Sequence, residues 1–262
     1  IETSNQKLSK LSDSSFVKGK PNIVFIMVES YMAAASKTTI NGKEITPNLN
    51  ALMKEKDGYV NLSMTSNRGS GVSSDAQISY FTGLLPIKNE IAVTRIIKNK
   101  VIAFPKLLHE QKGYHTYITL PTGKNFWHQE EANIKYGIDN VIELGNKTND
   151  FFCQDEELFK NLKQITPTLK KPYLNIILTL SMHGGYDDDF LKEQNKKSPF
   201  NYPNSYPMIF RHYLDKCYYT DAQIGQYINY LKKSKQYNNT IILICSDHEV
   251  PEASNQMGCS ED

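Results

Sequence analysis

Long apolar runs are missing from this sequence. The longest near its start, Ile23–Val28, covers six residues, whereas a membrane-spanning helix needs about 20. No signal-peptide pattern is visible either. The chain begins with Ile1 rather than Met and is expected to be a piece of a longer one. An excess of one charge is also missing. The net charge is +2 over 262 residues, so nothing points to a polyanion such as nucleic acid as a partner. The four cysteines, Cys153, Cys217, Cys245 and Cys259, show neither CxxC spacing nor metal-type pairing with histidine. Cys245 sits inside an apolar strand pattern and reads as core, and the cysteines leave the redox compartment open. There is one tryptophan, Trp127, and no internal repeat is evident.

What is present reads as an α/β protein. The length suits one large domain or two small ones. Residues 1–20 are polar and rich in Ser and Lys, the composition of an arm or linker. Three apolar runs then predict strands buried on both faces, as in a parallel sheet: Ile23–Val28, Pro172–Leu180 and Thr240–Cys245. Helices are expected over Thr46–Lys54, Ser74–Thr82, Phe104–Lys112, Asp155–Ile165 and Tyr213–Lys233, with Gly113 closing the third. Shorter strands are expected over Gly58–Leu62 and Tyr114–Thr119. Residues 130–152 read as mixed and loop-rich, and residues 186–207 as a polar flap.

Each apolar strand ends in chemistry. The first ends at Glu29, the second leads into His183-Gly184-Gly185, and the third ends at Asp247-His248. In open α/β sheets ligands bind beyond the carboxyl ends of the strands. Taken alone, each residue has a plain reading as a strand terminus, a turn or a cap. The loop Asn67–Gln77 adds two glycines and three serines before a helix, which places Ser73 either as a nucleophile at a helix N-terminus or as an ordinary N-cap. Together Glu29, Ser73, Asp247 and His248 supply a mixed oxygen and nitrogen set that suits Mn²⁺, Mg²⁺ or Zn²⁺. Such an ion activates a hydroxyl toward phosphorus.

The order of the pieces PNIVFIMVES, TPNLNALMKE, GSGVSSDAQ, FTGLLP, KNFWHQ, LSMHGGY and IILICSDH resembles the alkaline phosphatase superfamily. Within it they resemble the sulfatase-like branch of lipoteichoic acid synthases and phosphoglycerol transferases. The resemblance runs from about Pro21 to His248. It implies an α/β/α sandwich around a largely parallel sheet, one ion of the Mn²⁺ type, and a hydroxyl that carries a covalent phosphoryl intermediate. Carried across by position, Glu29, Asp247 and His248 match metal ligands. Ser73 matches the nucleophile, usually a threonine in this branch. His183 matches the histidine that contacts the phosphoryl or glycerol group, and Trp127 a tryptophan of the substrate pocket.

Two departures bear on the substrate. Gln129 stands where the branch usually has arginine, and Leu120 stands near a family histidine. A phosphate-clamping cation is thereby lost, with Lys124, Arg68 and His128 as the nearby replacements. The chain also stops at Asp262, soon after the metal pair, so the domain over residues 21–262 is expected to be incomplete at its C-terminus. The resemblance implies a monomer on the outer face of a bacterial membrane, anchored by segments outside this chain. Its donor would be a lipid-linked phosphoglycerol type, its acceptor a glycan or lipid. Other readings stay open: a phosphoethanolamine transferase, a phosphodiesterase or sulfatase-like hydrolase, or a degenerate domain that binds a headgroup or glycan. A C/S-x-P-x-R sulfatase pattern is missing around Ser73.

Overall fold

The structure, a computed structural model, describes residues 19–65, 69–145 and 152–250. Its centre is a five-stranded sheet in the order β5-β4-β6-β1-β7, parallel throughout. The strands are β1 (Asn22–Val28), β4 (His115–Leu120), β5 (Asn140–Glu143), β6 (Tyr173–Leu178) and β7 (Thr240–Ser246); β2 (Thr39–Ile40) and β3 (Lys43–Glu44) form a separate small hairpin. The helices are α1 (Ala33–Lys37), α2 (Pro47–Met53), α3 (Ser73–Thr82), α4 (Val93–Ile96), α5 (Phe104–Lys112), α6 (Gln129–Tyr136), α7 (Asp155–Ile165), α8 (Phe190–Glu193) and α9 (Met208–Lys233).

Strand side chains alternate between faces, and in β1 both faces are apolar. Val24, Ile26 and Val28 point into a core shared with α2, α7 and α9. Phe25 and Met27 point into a second core shared with α3, α4, α5 and α6. Helices cover both faces of a parallel sheet, the expected α/β/α sandwich. Among the described residues no helix is long and apolar enough to cross a membrane.

Several expectations change. Residues 58–62 form no strand; Tyr59 and Val60 are exposed and have no neighbouring strand to pair with. The stretch read as loop-rich holds α6 and β5, a second βαβ half-unit. The long helix starts at Met208, five residues early, because Pro207 opens it and Arg211 is tied to the carbonyls of Tyr206, Pro203 and Asn204. Strand β7 is apolar but not buried on both sides. It lies at the sheet edge, with Ile241 38% and Leu243 42% exposed. The arm over residues 1–18 lies outside the described residues, as do residues 251–262.

Candidate active site

Register brings two of the expected acids together. Val28 pairs with Ser246 in the parallel ladder, so the residues that follow, Glu29 and Asp247, emerge side by side. The Asp247 amide continues the ladder to Val28 O at 3.2 Å, and Asp247 Oδ1 accepts the Ser30 amide at 2.8 Å and the His248 amide at 2.7 Å. Glu29 is held from the other side. Its amide donates to Thr179 Oγ1 at 3.0 Å, and its Oε1 accepts the Ser30 hydroxyl at 2.7 Å.

Glu29, Asp247 and His248 are buried, and each offers a ligand atom within 4.8 Å of the other two. His248 Nε2 lies 3.3 Å from Glu29 Oε1 and 3.5 Å from Asp247 Oδ2. His248 Nδ1 donates to the Glu249 carbonyl at 2.7 Å, which fixes the ring and leaves Nε2 facing the acids, the arrangement a metal-binding imidazole adopts. Ser73 Oγ sits 3.3 Å from the same Nε2. Two carboxylates, an imidazole nitrogen and a hydroxyl on one spot are a donor set that fits a single divalent cation.

Electrostatics agree with that fit. Burial, and then the neighbouring Glu29 charge, push Asp247 up to about 7. Burial works against the charged form of His248, but its hydrogen bond to Glu29 and the Asp247 charge outweigh it and raise it to about 9. Burial likewise opposes ionised Glu29, yet His248 and Ser30 outweigh it and lower its pKa. At neutral pH the metal-free site therefore holds protons that an ion must displace. Both raised groups stabilise the metal-free fold at low pH and lose that contribution as pH climbs through about 7 and about 9. Mn²⁺ affinity is accordingly expected to rise across this window while metal-free stability falls. Calorimetry in buffers of different ionisation enthalpy should read net proton release on binding; pH-independent affinity would contradict it.

The loop that carries Ser73 is bent by one carboxylate. Asp75 Oδ2 accepts the amides of Gly69 at 2.7 Å and Gly71 at 2.9 Å. A Cβ on Gly71 would run into Asp75 Oδ1 and lie 2.6 Å from Ser74 Oγ, so a larger residue would push aside the carboxylate that holds the loop. Val72 is left at φ +46°, a conformation that is strained for a β-branched residue. Ser73 makes no capping hydrogen bond; Val72 occupies the N-cap position, and the Ser74 hydroxyl turns back to Gly71 O at 2.8 Å. The ordinary-cap reading of Ser73 is thereby removed. Gly71→Ala is expected to cut turnover by about 10-fold or more through a displaced Ser73, with the metal still bound. Wild-type turnover in that variant would contradict the account of the loop.

These groups form the floor of a cavity of about 290 Å³. Its walls include Phe126, Trp127, Gln129, Leu178, His183 and Tyr186. His183 stands exposed at the rim, close enough to Glu29 to favour its charge. Trp127 is 45% exposed and held at φ +50°. Two of the three expected replacement cations do not reach this cavity. Lys124 Nζ is taken by Glu130 Oε1 at 2.5 Å, and His128 Nδ1 lies 3.7 Å from Glu131 Oε1; neither lines the pocket. Arg68 lies outside the described residues. Gln129 does line the pocket, its Oε1 accepting from Asn133 Nδ2 at 3.1 Å. Sequence reading passed over Ser30, Thr179 and Asp75. Each is a hydroxyl or acid within two residues of a strand end or of Ser73, and that proximity was the available signal.

A sequence model of the sulfatase family matches residues 21–252. The chain is 26% identical over 246 residues to the lipoteichoic acid synthase of Staphylococcus aureus (strain USA300), a match that takes in 88% of this chain and 36% of that protein. It thus spans about a third of the length of the curated relatives it matches, 36%. The fold matches that of the lipoteichoic acid synthase LtaP from Listeria monocytogenes with a TM-score of 0.78 at 20% identity, over 93% of this chain and 62% of that one. It also matches the Streptococcus pyogenes phosphoglycerol transferase GacH in complex with sn-glycerol-1-phosphate, with a TM-score of 0.60 at 16% identity over 95% and 69% of the two chains. A third match is the C-terminal periplasmic domain of EcEptC from Escherichia coli in complex with Zn, TM-score 0.60 at 16% identity over 92% and 68%. At these identities the structural likeness establishes the fold.

Proposed function

The chain belongs to the sulfatase family, and from that premise we propose that it is the catalytic domain of a metal-dependent phosphoryl-group transferase. It moves a phosphoglycerol-type headgroup from a lipid-linked donor to a glycan or lipid acceptor. It works outside the cytoplasmic membrane, tethered through segments beyond this chain, with residues 1–20 as the connecting arm. The likeness to lipoteichoic acid synthase and to GacH supports this reading. The observation that carries it is the convergence of the Ser73 hydroxyl on three buried ligand groups at the floor of one pocket.

Glu29, Asp247 and His248, with Ser73 as a fourth ligand, would hold one divalent ion, Mn²⁺ by preference and Mg²⁺ or Zn²⁺ otherwise. When bound, the ion supplies positive charge that lowers the pKa of the serine hydroxyl and offsets charge on the phosphoryl group. Ser73 Oγ attacks phosphorus. The Oγ–P bond forms as the P–O bond to the diacylglycerol breaks, and the alcohol leaves carrying a proton. An acceptor hydroxyl then attacks the same phosphorus, gives up its proton, and returns Ser73 as the free hydroxyl. His183 contacts the phosphoryl or glycerol oxygens from the rim, and Trp127 and Phe126 offer ring surface to the glycerol.

Among the described residues, no lysine or arginine lines the pocket. A phosphodiester brings one negative charge at phosphorus, a monoester up to two, so this lining favours the diester. Incubating the chain with Mn²⁺ and fluorescent phosphatidylglycerol in detergent micelles should release fluorescent diacylglycerol. Release from phosphatidylethanolamine alone would make it a phosphoethanolamine transferase. A chain that neither binds Mn²⁺ nor turns over any of these lipids is a binding domain.

A further inference from the structure

The loop after β6, which carries His183, is held by two buried side chains, one acidic and one basic. Neither lies within ion-pair distance of an opposite charge among the described residues. Asp155, at the start of α7, is 0% exposed. Its Oδ1 accepts the amides of Leu180 at 3.0 Å and Ser181 at 3.2 Å, and its Oδ2 accepts the Thr220 hydroxyl at 2.7 Å. From the other side comes Lys216 of α9, 6% exposed. Its Nζ donates to His183 O at 2.8 Å and to Gly185 O at 3.2 Å. The same ammonium lies 4.9 Å from the centre of the Tyr186 ring and 5.3 Å from that of Phe190.

Burying a charge away from a close counter-charge is costly; Glu193, Asp188 and Glu29 act on Lys216 only from beyond ion-pair distance, and this fold places both side chains against one short stretch of backbone. The two carbonyls that Lys216 gathers flank Gly184, and Gly185 turns the chain at φ +91°. The His183 imidazole makes no hydrogen bond of its own among the described residues and stands exposed. Where it stands at the rim is therefore set by its backbone, while the ring itself turns about χ1 and χ2. Apolar packing from α9 would cover the loop equally well, but it would not fix the orientation of two carbonyls.

We propose that Lys216 is a positioning residue for His183: a buried amine that clamps the His183–Gly185 backbone and thereby keeps the imidazole at the rim of the pocket, within reach of the phosphoryl group. The proposal rests on the pocket being a phosphoryl-transfer site. Lys216→Met keeps the apolar stem and removes the donors, Lys216→Gln keeps an N–H donor without the charge, and each is compared alone and on a His183→Ala background. Two readouts apply to the full chain: kcat and KM for diacylglycerol release from fluorescent phosphatidylglycerol with Mn²⁺, and amide exchange of residues 179–186 without metal.

Lys216→Met should lower kcat by about 10-fold and Lys216→Gln by less; on His183→Ala the further loss from Lys216→Met should stay under about twofold, because both act through one group. Exchange over 179–186 should quicken in Lys216→Met while the rest of the chain is unchanged. Equal fold-losses on both backgrounds, or unchanged exchange, would overturn the proposal. If His183→Ala alone keeps wild-type kcat, the role given to His183 falls and the proposal with it. If no variant and no wild type turns over the lipid, the functional reading fails, and the exchange result alone still decides whether Lys216 holds the loop. Should Lys216→Met not fold, Lys216→Gln carries the comparison; if neither folds, Lys216 is a folding residue and the proposal is wrong.

Discussion

Ser73→Ala is expected to abolish headgroup release, by about 10³-fold or more, while leaving the fold and most of the metal affinity in place. The Ser73 hydroxyl lies 3.3 Å from His248 Nε2, among the candidate ligands, and a hydroxyl there can attack phosphorus and then leave it. Its neighbours on the loop are committed elsewhere. The Ser74 hydroxyl is buried and donates to Gly71 O at 2.8 Å, and Ser70 reaches the Lys88 carbonyl at 3.5 Å. Structurally Ser73 contributes little: its hydroxyl is not a helix cap, and it meets only the candidate ligands, His248 Nε2 at 3.3 Å and the Asp247 carboxyl. Losing it should cost no more than about 1 kcal/mol. Three charged or imidazole ligands remain for the ion. Turnover, bound Mn²⁺ and melting temperature of the variant together check this; turnover above a few per cent of wild type would move the nucleophile to Ser70 or Ser74.

Asp247→Asn should separate metal binding from stability. In the metal-free protein burial, and then the neighbouring Glu29 charge, raise the pKa of the Asp247 carboxyl. Asparagine keeps an oxygen for the amides of Ser30 and His248 and removes the repulsion. The metal-free variant should melt no lower than wild type. With metal the order reverses. The ion loses an anionic ligand, and its affinity should fall by about 10²-fold or more, taking turnover with it. Wild type should gain melting temperature on adding Mn²⁺ and the variant should gain little. An Asp247→Asn protein that binds Mn²⁺ as tightly as wild type would show that Asp247 is not a ligand.

The parts of the fold that were legible in the sequence carry strong local punctuation. Helix α5 runs over Phe104–Lys112 as expected, because Pro105 fits the first turn and Gly113 at φ +70° stops it. Helix α7 runs over Asp155–Ile165, with an acidic first turn and a clear apolar stripe. Helix α6 was not legible because its buried face includes Gln129 and Asn133 beside Ala132 and Tyr136, so the apolar period is broken. Strand β5 is four residues long and half-exposed at an edge. For β7 the composition told of a strand but not of its place, since an apolar run reads the same at a sheet edge as at its centre.

The candidate ligands were legible for a topological reason. Parallel strands deliver their C-terminal ends to one edge, so Glu29 and Asp247 had to meet once β1 and β7 were neighbours. The polar surroundings were not. Lys124 and His128 lie close in sequence to Trp127, yet Glu130 and Glu131, one turn on, draw them away from the cavity. Lys216 and Asp155 come from helices far along the chain, and no local pattern ties them to the loop of His183.

Uptake of the transferred group by Ser73 is tested most directly by peptide mass spectrometry of the chain after incubation with phosphatidylglycerol and Mn²⁺, quenched in acid. A glycerophosphoryl adduct is expected on Ser73, lost in Ser73→Ala and lost when the ion is chelated. An adduct on another residue, or diacylglycerol release with Ser73 unmodified at every time point, would contradict it.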